Sequence, residues 1–315
     1  QCVRTHQWLA HQPDTHSQAL WTLGDPHYPP ELLQLADPPL MIYVAGQTER
    51  TLGNALAIVG SRNPTPQGAD IATQFGEALC EAGLCVVSGL ALGVDGAAHT
   101  GALRGGKTSA HWHTVAVVGT GLDRVYPSKH KVLAQHIALQ GLLISEYHLG
   151  AAPLAHHFPK RNRLIAALGL GTLVVEAALK SGSLITAKMA LELNREVLAI
   201  PGSIYATQSH GCHALIRQGA KLVENAQDVL EELQLAPQQQ ANLFADALAA
   251  DDSVPSDDTE HPLLSHMGYA PVSLDALQAR CGLDTAALQA QLLTLELDGA
   301  VGRLPGGLFQ RLGTA

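Results

Sequence analysis

Phe158, Lys160, Arg161, Asn162 and Arg163 stand together in His157-Phe158-Pro159-Lys160-Arg161-Asn162-Arg163, directly before the apolar run Leu164 to Leu168. An aromatic face stacks an unpaired base, a guanidinium fork grips phosphate, and a helix N-terminus favours an anion. These residue types at this spacing fit a polyanionic strand. The competing account is a solvated helix start with a buried Phe anchor.

Three glycine turns form a second set: Gly60-Ser61-Arg62, Ser88-Gly89 and Gly119-Thr120-Gly121. Amides exposed at such turns cradle phosphate, and Arg62 would add the charge. Glycine also serves tight packing of turn against sheet, so a single turn of this kind decides nothing; three favour a phosphate-bearing ligand. In Ser181-Gly182-Ser183-Leu184-Ile185-Thr186-Ala187-Lys188, the hydroxyls of Ser183 and Thr186 and the Lys188 ammonium could hold further phosphates, or the hydroxyls could simply cap a helix. Asp95 and His99, four apart, would share a helix face. With only Ser88 near as a nucleophile, they are expected to bond each other and fix the loop rather than act as an acid–base pair. Gly101 to Thr108 matches the Walker A pattern letter for letter. A P-loop needs a strand before it and a helix after it, whereas here the order is reversed, so ATP binding is not expected.

The elements that must position these residues are short apolar runs: Leu56 to Val59, Leu84 to Val87, Val115 to Val118, Leu142 to Ile144, Leu173 to Val175 and Val197 to Ile200. Most end in Gly, Ser or Pro and precede a stretch of helical spacing such as Gly68 to Cys80. That alternation predicts an α/β domain over residues 51–230, a doubly wound parallel sheet covered on both faces. Its ligands would sit at the C-terminal ends of the strands, where the glycine turns gather. Residues 1–50 read as a turn-rich lead-in with a short helix at Glu31 to Leu35. Residues 231–262 read as an acidic flexible linker. Residues 263–315 read as a small winged helix, with Ser273 and Asp284 as helix caps. Its second helix, Thr285 to Leu297, lacks Lys and Arg, so a protein contact is expected there rather than groove reading.

The net charge of −9 opposes a polyanionic partner only until it is mapped. Residues 231–262 hold eight acids and no Lys or Arg, which leaves −1 for the rest of the 315-residue chain. Five scattered cysteines without a CxxC pair argue against disulfides or structural zinc and for a reducing cytosol. No metal or cofactor is expected. No apolar run approaches membrane-spanning length, and the N-terminus lacks an export pattern. The first residue is Gln rather than Met, so a preceding segment is expected.

Read in order, these segments resemble the DNA-processing protein DprA (Smf) family. The match runs through Gly60-Ser61-Arg62, Ser88-Gly89-Leu90-Ala91 with Gly93, Asp95 and His99, and Gly119-Thr120-Gly121-Leu122-Asp123 with Tyr126-Pro127. It continues through Ser145-Glu146-Tyr147, Phe158-Pro159 with Arg161-Asn162-Arg163, Ser181 to Ala187, Pro201-Gly202-Ser203, and Gly211-Cys212-His213 to Leu222. The resemblance covers about residues 20–230, and the C-terminal module suits the winged helix many members carry. It implies an extended Rossmann-like fold for that sheet and a homodimer, through the Rossmann-like domain, that binds single-stranded DNA in a positive pocket and delivers it to the recombinase RecA during natural transformation. It carries DNA binding to Arg62, Phe158, Arg161, Asn162 and Arg163, and further to Lys131, Ser183, Thr186 and Lys188. Departures are Ala155-His156-His157, where some relatives have a cation that Lys160 would replace, an apparent insertion at Ser109 to His113, and Gly169 in place of Ser.

Two other readings compete. The fold variant is similar to that of phosphoribohydrolases that cleave nucleoside monophosphates and carry PGGxGTxxE. Gly169 to Glu176 lacks the PGG, and Glu176 lies one residue too far along, so catalysis is not expected. The other reading is a scaffold that meets its partners through the winged helix.

Overall fold

The computed structural model describes residues 2–106, 110–235, 262–267, 271–305 and 307–312. The chain divides into two compact units, Gln1–Pro64 with Gly68–Ala226, and Thr65–Gln67 with Gln227–Ala315.

The first unit is built on a nine-stranded sheet. Its elements are α1 (Cys2–Ala10), β1 (Ser17–Thr22), β2 (Met41–Gly46), β3 (Ala55–Val59), α2 (Pro66–Glu81), β4 (Cys85–Ser88), α3 (Val94–Gly105), β5 (Thr114–Val117), α4 (Lys131–Gln140), β6 (Leu142–Ser145), α5 (His157–Leu168), β7 (Gly171–Val174), α6 (Ser183–Glu192), β8 (Glu196–Ala199), α7 (His210–Arg217) and β9 (Lys221–Leu222). The strand order is β1-β2-β6-β5-β4-β3-β7-β8-β9. From β6 to β9 every pairing is parallel. All residues of β3, β4, β5 and β7 are buried, which is why they read as unbroken apolar runs rather than alternating ones. The chain winds outward from β3 to β6, then returns to place β7 on the other flank of β3. The doubly wound, Rossmann-like architecture expected from the sequence is the observed one.

The lead-in is where expectation and structure part. Residues 17–46 supply β1 and β2, which extend the sheet at one edge. β2 runs antiparallel to β6, with Val44 opposite Ile144, so the sheet is mixed. The short helix near Glu31 is a 3-10 turn, Pro30–Gln34. The segment proposed as an insertion anchors this edge: the buried Trp112 stacks on Trp21 at 6.2 Å, and its indole N–H donates to the Gln47 carbonyl at 2.7 Å. Gly101 to Gly105, the first part of the Walker-like stretch, is the last turn of α3, so no phosphate loop forms there; Lys107, Thr108 and Ser109 lie outside the described residues.

In the second unit α8 spans Ala226–Glu232. The linker from 236 to 261 lies outside the described residues. Beyond it come α9 (Pro262–Met267), β10 (Val272–Ser273), α10 (Leu274–Cys281), α11 (Thr285–Leu297), β11 (Val301–Leu304) and β12 (Leu308–Arg311), a winged helix. The three strands pair antiparallel in the order β10-β12-β11. Leu277, Leu288, Leu292 and Phe309 fill its core. Both expected caps form: Ser273 Oγ accepts from the Ala276 amide, and Asp284 Oδ1 accepts from those of Ala286 and Ala287.

Candidate nucleic-acid interface

The strand order reverses at β3 and β7, so the connections leaving these neighbours part and open a crevice between them. A recess of about 490 Å³ lies there. The turn after β3 contributes Gly60, Ser61 and Arg62, and the loop after β7 contributes Lys180, Ser181 and Gly182. Ser183 and Thr186 enter from the first turns of α6, Arg161 and Asn162 from α5, Asp95 from α3, and Gln208 from the loop after β8. Residues far apart in sequence thus meet because the topology splits at one point.

Arg161 is the pivot of the interior wall. It is only 3% exposed, and its guanidinium donates to the carbonyls of Gly89, at 2.7 Å, and Val117. Its Nε–H donates to Asn162 Oδ1 at 3.2 Å. Burial pulls the Arg161 pKa down to about 10 while Asp95 beside it pushes the other way, so it stays charged at neutral pH. Asp95 is buried too, and burial raises its pKa against the pull of Arg161 and two amide donors. Those donors are the N–H groups of Gly89, at 3.1 Å, and Ala91, at 3.3 Å, both bound to Asp95 Oδ2. The loop so held includes Leu90 in the left-handed region at φ 58°, a costly conformation that Asp95 and a hydrogen bond between His130 Nδ1 and the Leu90 carbonyl stabilise together.

Beside the recess lies a smaller crevice of about 80 Å³, walled by Leu92, Tyr126, Pro127, Phe158 and the same Arg62. The Phe158 ring is half-buried, with Tyr126 at 5.6 Å between centroids and the Arg62 guanidinium carbon 5.6 Å above its centroid. Gly119 makes the seat for this ring: a Cβ there would stand 3.2 Å from Phe158 Cδ1.

Several sequence expectations are corrected by this geometry. The Ser88-Gly89 turn does not offer a free cradle, because Ser88 Oγ donates to the Ile58 carbonyl and the Gly89 amide is held by Asp95. Nor does Gly119-Thr120-Gly121: the Gly121 amide donates to the Ala151 carbonyl, and Gly119 packs under Phe158. Asp95 and His99 do not bond each other; the short carboxylate turns back to its own loop, while the imidazole reaches Thr114 on β5. Arg163 faces away from the recess. It donates to Glu146 Oε2 at 2.5 Å and to the Asp37 carbonyl at 3.0 Å, and so braces α5. Lys160 and Lys131 are exposed and outside the recess, and Lys188 pairs with Glu192 at 3.8 Å on the open face of α6. Gly60, Ser61, Arg62, Asn162, Ser183 and Thr186 do come together there. Lys180 and Gln208 went unnoticed in the sequence. Lys180 was legible as a cation beside the Ser181-Gly182 turn, but nothing local marks Gln208. Glu176 does not line the recess; its carboxyl stands where a Cβ on Gly68 would fall.

His99 carries a pH prediction. Thr114 Oγ donates to the Val86 carbonyl at 2.6 Å, so His99 Nδ1, 2.7 Å from that oxygen, must donate to it. The bare Nε2 is then buried with no partner among the described residues. Burial lowers the His99 pKa from 6.5 to about 3, with His130 and Arg161 adding to the effect. The folded value lies below the unfolded one, so the unfolded chain takes up a proton the folded one refuses, and stability falls as pH drops from 6.5 towards 3. At about pH 5 the expected loss is about 2 kcal/mol relative to neutral pH. Urea unfolding at both pH values checks this, with His99→Gln as control; an equal loss in the variant refutes it.

Among the described residues no group of three His, Cys, Asp or Glu side chains could hold a metal ion, and no helix is long and apolar enough to cross a membrane. The fold and the recess define a Rossmann-like protein with a cationic, ring-flanked crevice at its topological switch point, joined in the same chain to a winged helix. Residues 19–234 match the family model of DNA recombination-mediator protein A, and residues 247–307 match that of the DprA winged helix domain. The chain belongs to the DNA recombination-mediator protein A (DprA) family. It is 40% identical to Protein Smf of Escherichia coli (strain K12) over 305 residues, covering 95% of this chain and 78% of that protein. To DNA processing protein DprA of Streptococcus pneumoniae (strain R6) it is 46% identical over 215 residues, 68% of this chain and 74% of that protein. The X-ray structure of the Streptococcus pneumoniae DprA superposes with a TM-score of 0.65 at 42% identity, covering 74% of this chain and 78% of that one. A structure described as giving the single-stranded DNA binding mode of DNA processing protein A from Helicobacter pylori superposes with a TM-score of 0.60 at 29% identity, covering 69% and 95%.

Proposed function

We propose that this chain binds single-stranded DNA in the switch-point recess and hands it to the recombinase RecA during natural transformation, without catalysing a reaction. The observation that carries this is Arg62, which lines both the recess and the ring-walled crevice and so joins a phosphate grip to a base platform. Lys180, the Ser183 hydroxyl and the start of α6 add donors for the backbone, and Phe158 offers a π-face. The single-strand binding ascribed to the Helicobacter pylori relative supports the ligand, and the recombination-mediator description of the family supports a recombinase partner. The reading extends to a homodimer formed through the Rossmann-like unit, as the sequence resemblance implies. It also extends to the cytoplasm, in keeping with five cysteines that all remain free thiols. The roles of Lys160, Lys131 and Lys188 are then long-range attraction of the strand rather than contact in the recess.

Fluorescence anisotropy with single- and double-stranded oligonucleotides tests this. Single strands are expected to bind tighter, with little dependence on sequence and strong dependence on salt. Arg62→Ala is expected to weaken binding and to flatten the slope of log K against log salt by about 0.7, one single-strand phosphate. Equal affinity for the two forms of DNA, or an unchanged slope in the variant, counts against the assignment.

A further inference from the structure

The loop after β8 is fixed, yet its two largest apolar groups point outward. Tyr205 is 90% exposed and Ile204 70%. His210 Nε2 lies 2.9 Å from the Ile204 carbonyl, and His213 Nε2 lies 2.9 Å from that of Gly202. Only an N–H can face a carbonyl at that distance, so both rings donate and pin the loop to α7. Inside the turn the Ala206 amide donates to the Ser203 carbonyl at 3.0 Å, and the Tyr205 amide donates to Ser203 Oγ at 3.3 Å. Among the described residues the Tyr205 ring and hydroxyl have no ring, guanidinium or hydrogen-bond partner. Folding alone gains nothing from holding an aromatic side chain out in water on a pinned loop, whereas a binding surface gains a platform whose backbone ordering cost is already met.

The platform adjoins the recess. Gln208 lines the recess, and its amide nitrogen donates to the Asn63 carbonyl at 3.0 Å, which ties this loop to the residue after Arg62. Three residues of chain span at most about 10 Å, so Tyr205 stands within about 10 Å of Gln208. That is the rise of about three stacked nucleotides.

We infer that Tyr205, backed by Ile204, is a second stacking platform for an unpaired base of the strand that leaves the recess past Gln208. The inference rests on the single-strand reading above. It assigns the ligand class from chemistry: a flat, neutral, aromatic surface that a single strand presents and a duplex hides.

The test uses the full chain and labelled oligothymidylates of about 3 and about 20 nucleotides. Tyr205→Ala is expected to weaken binding of the longer oligonucleotide by about fivefold to a hundredfold, with an unchanged salt slope and unchanged binding of the short one. Tyr205→Phe should bind like the parent, because the ring and not the hydroxyl does the stacking. Unchanged affinity of Tyr205→Ala for the longer strand overturns the inference, and so does a loss that comes with a flatter salt slope. An altered sedimentation coefficient with unchanged DNA affinity also overturns it, by making the loop an interface between protein chains. If binding is sensitive to Arg62→Ala but indifferent to Tyr205→Ala, this platform alone fails. If the parent binds no single strand, the function reading fails with it.

Discussion

Arg161→Met is expected to cost about 3–5 kcal/mol of folding stability, the largest effect of any single change in the recess. Methionine keeps the apolar stem but removes the guanidinium that satisfies two carbonyls and faces the Asp95 carboxylate. A buried carboxylate then remains without its cation, which costs far more than the pair itself contributes. Denaturant unfolding measures the loss, and the double variant with Asp95→Asn should recover part of it, with a coupling energy of about 0.5–3 kcal/mol. A loss below about 1 kcal/mol, or strictly additive effects, would show that Arg161 is not the counter-ion of Asp95. Arg161, one of the cations the sequence offers as a phosphate grip, is on this view first a strut that shapes the recess.

Phe158→Ala is expected to weaken single-strand affinity by about 1–3 kcal/mol while leaving the salt slope as it is, since a stacked base exchanges no counter-ion. The contrast with Arg62→Ala is the useful part, because one variant moves affinity alone and the other moves affinity and slope together. Phe158→Leu, which keeps bulk but loses the π-face, should bind nearly as poorly as the alanine variant. Titrations across salt concentrations decide it; full binding by the leucine variant would reduce the ring to an apolar spacer.

What the sequence made legible follows from how each signal is generated. The six buried strands were readable because strands covered on both faces carry uninterrupted apolar runs. β1 was not, since only Trp21 of its six residues is buried, and β2 was obscured by the prolines just before it. Arg62 and Asn162 could be found because they follow strand-ending glycines or sit in a compact motif. The opposite fates of Arg161 and Arg163 could not be read, because they depend on Asp95 and Glu146, which are distant in the chain and leave no local trace. The same is true of Gln208, brought in by the loop after β8. Charge type is written in the sequence; whether a charge is already satisfied is decided only by tertiary neighbours.

The turn after β4 holds a resident anion, the Asp95 carboxylate, on the amides of Gly89 and Ala91, the donors a phosphate at that turn would need. A free mononucleotide therefore meets a seat already taken and can grip only what remains on the far side of the recess. A polymer does not depend on that seat, because it spreads its phosphates over many weak contacts and gains affinity with length. On the single-strand reading, the triphosphates of the metabolite pool are therefore expected to compete poorly with a strand of a few nucleotides or more.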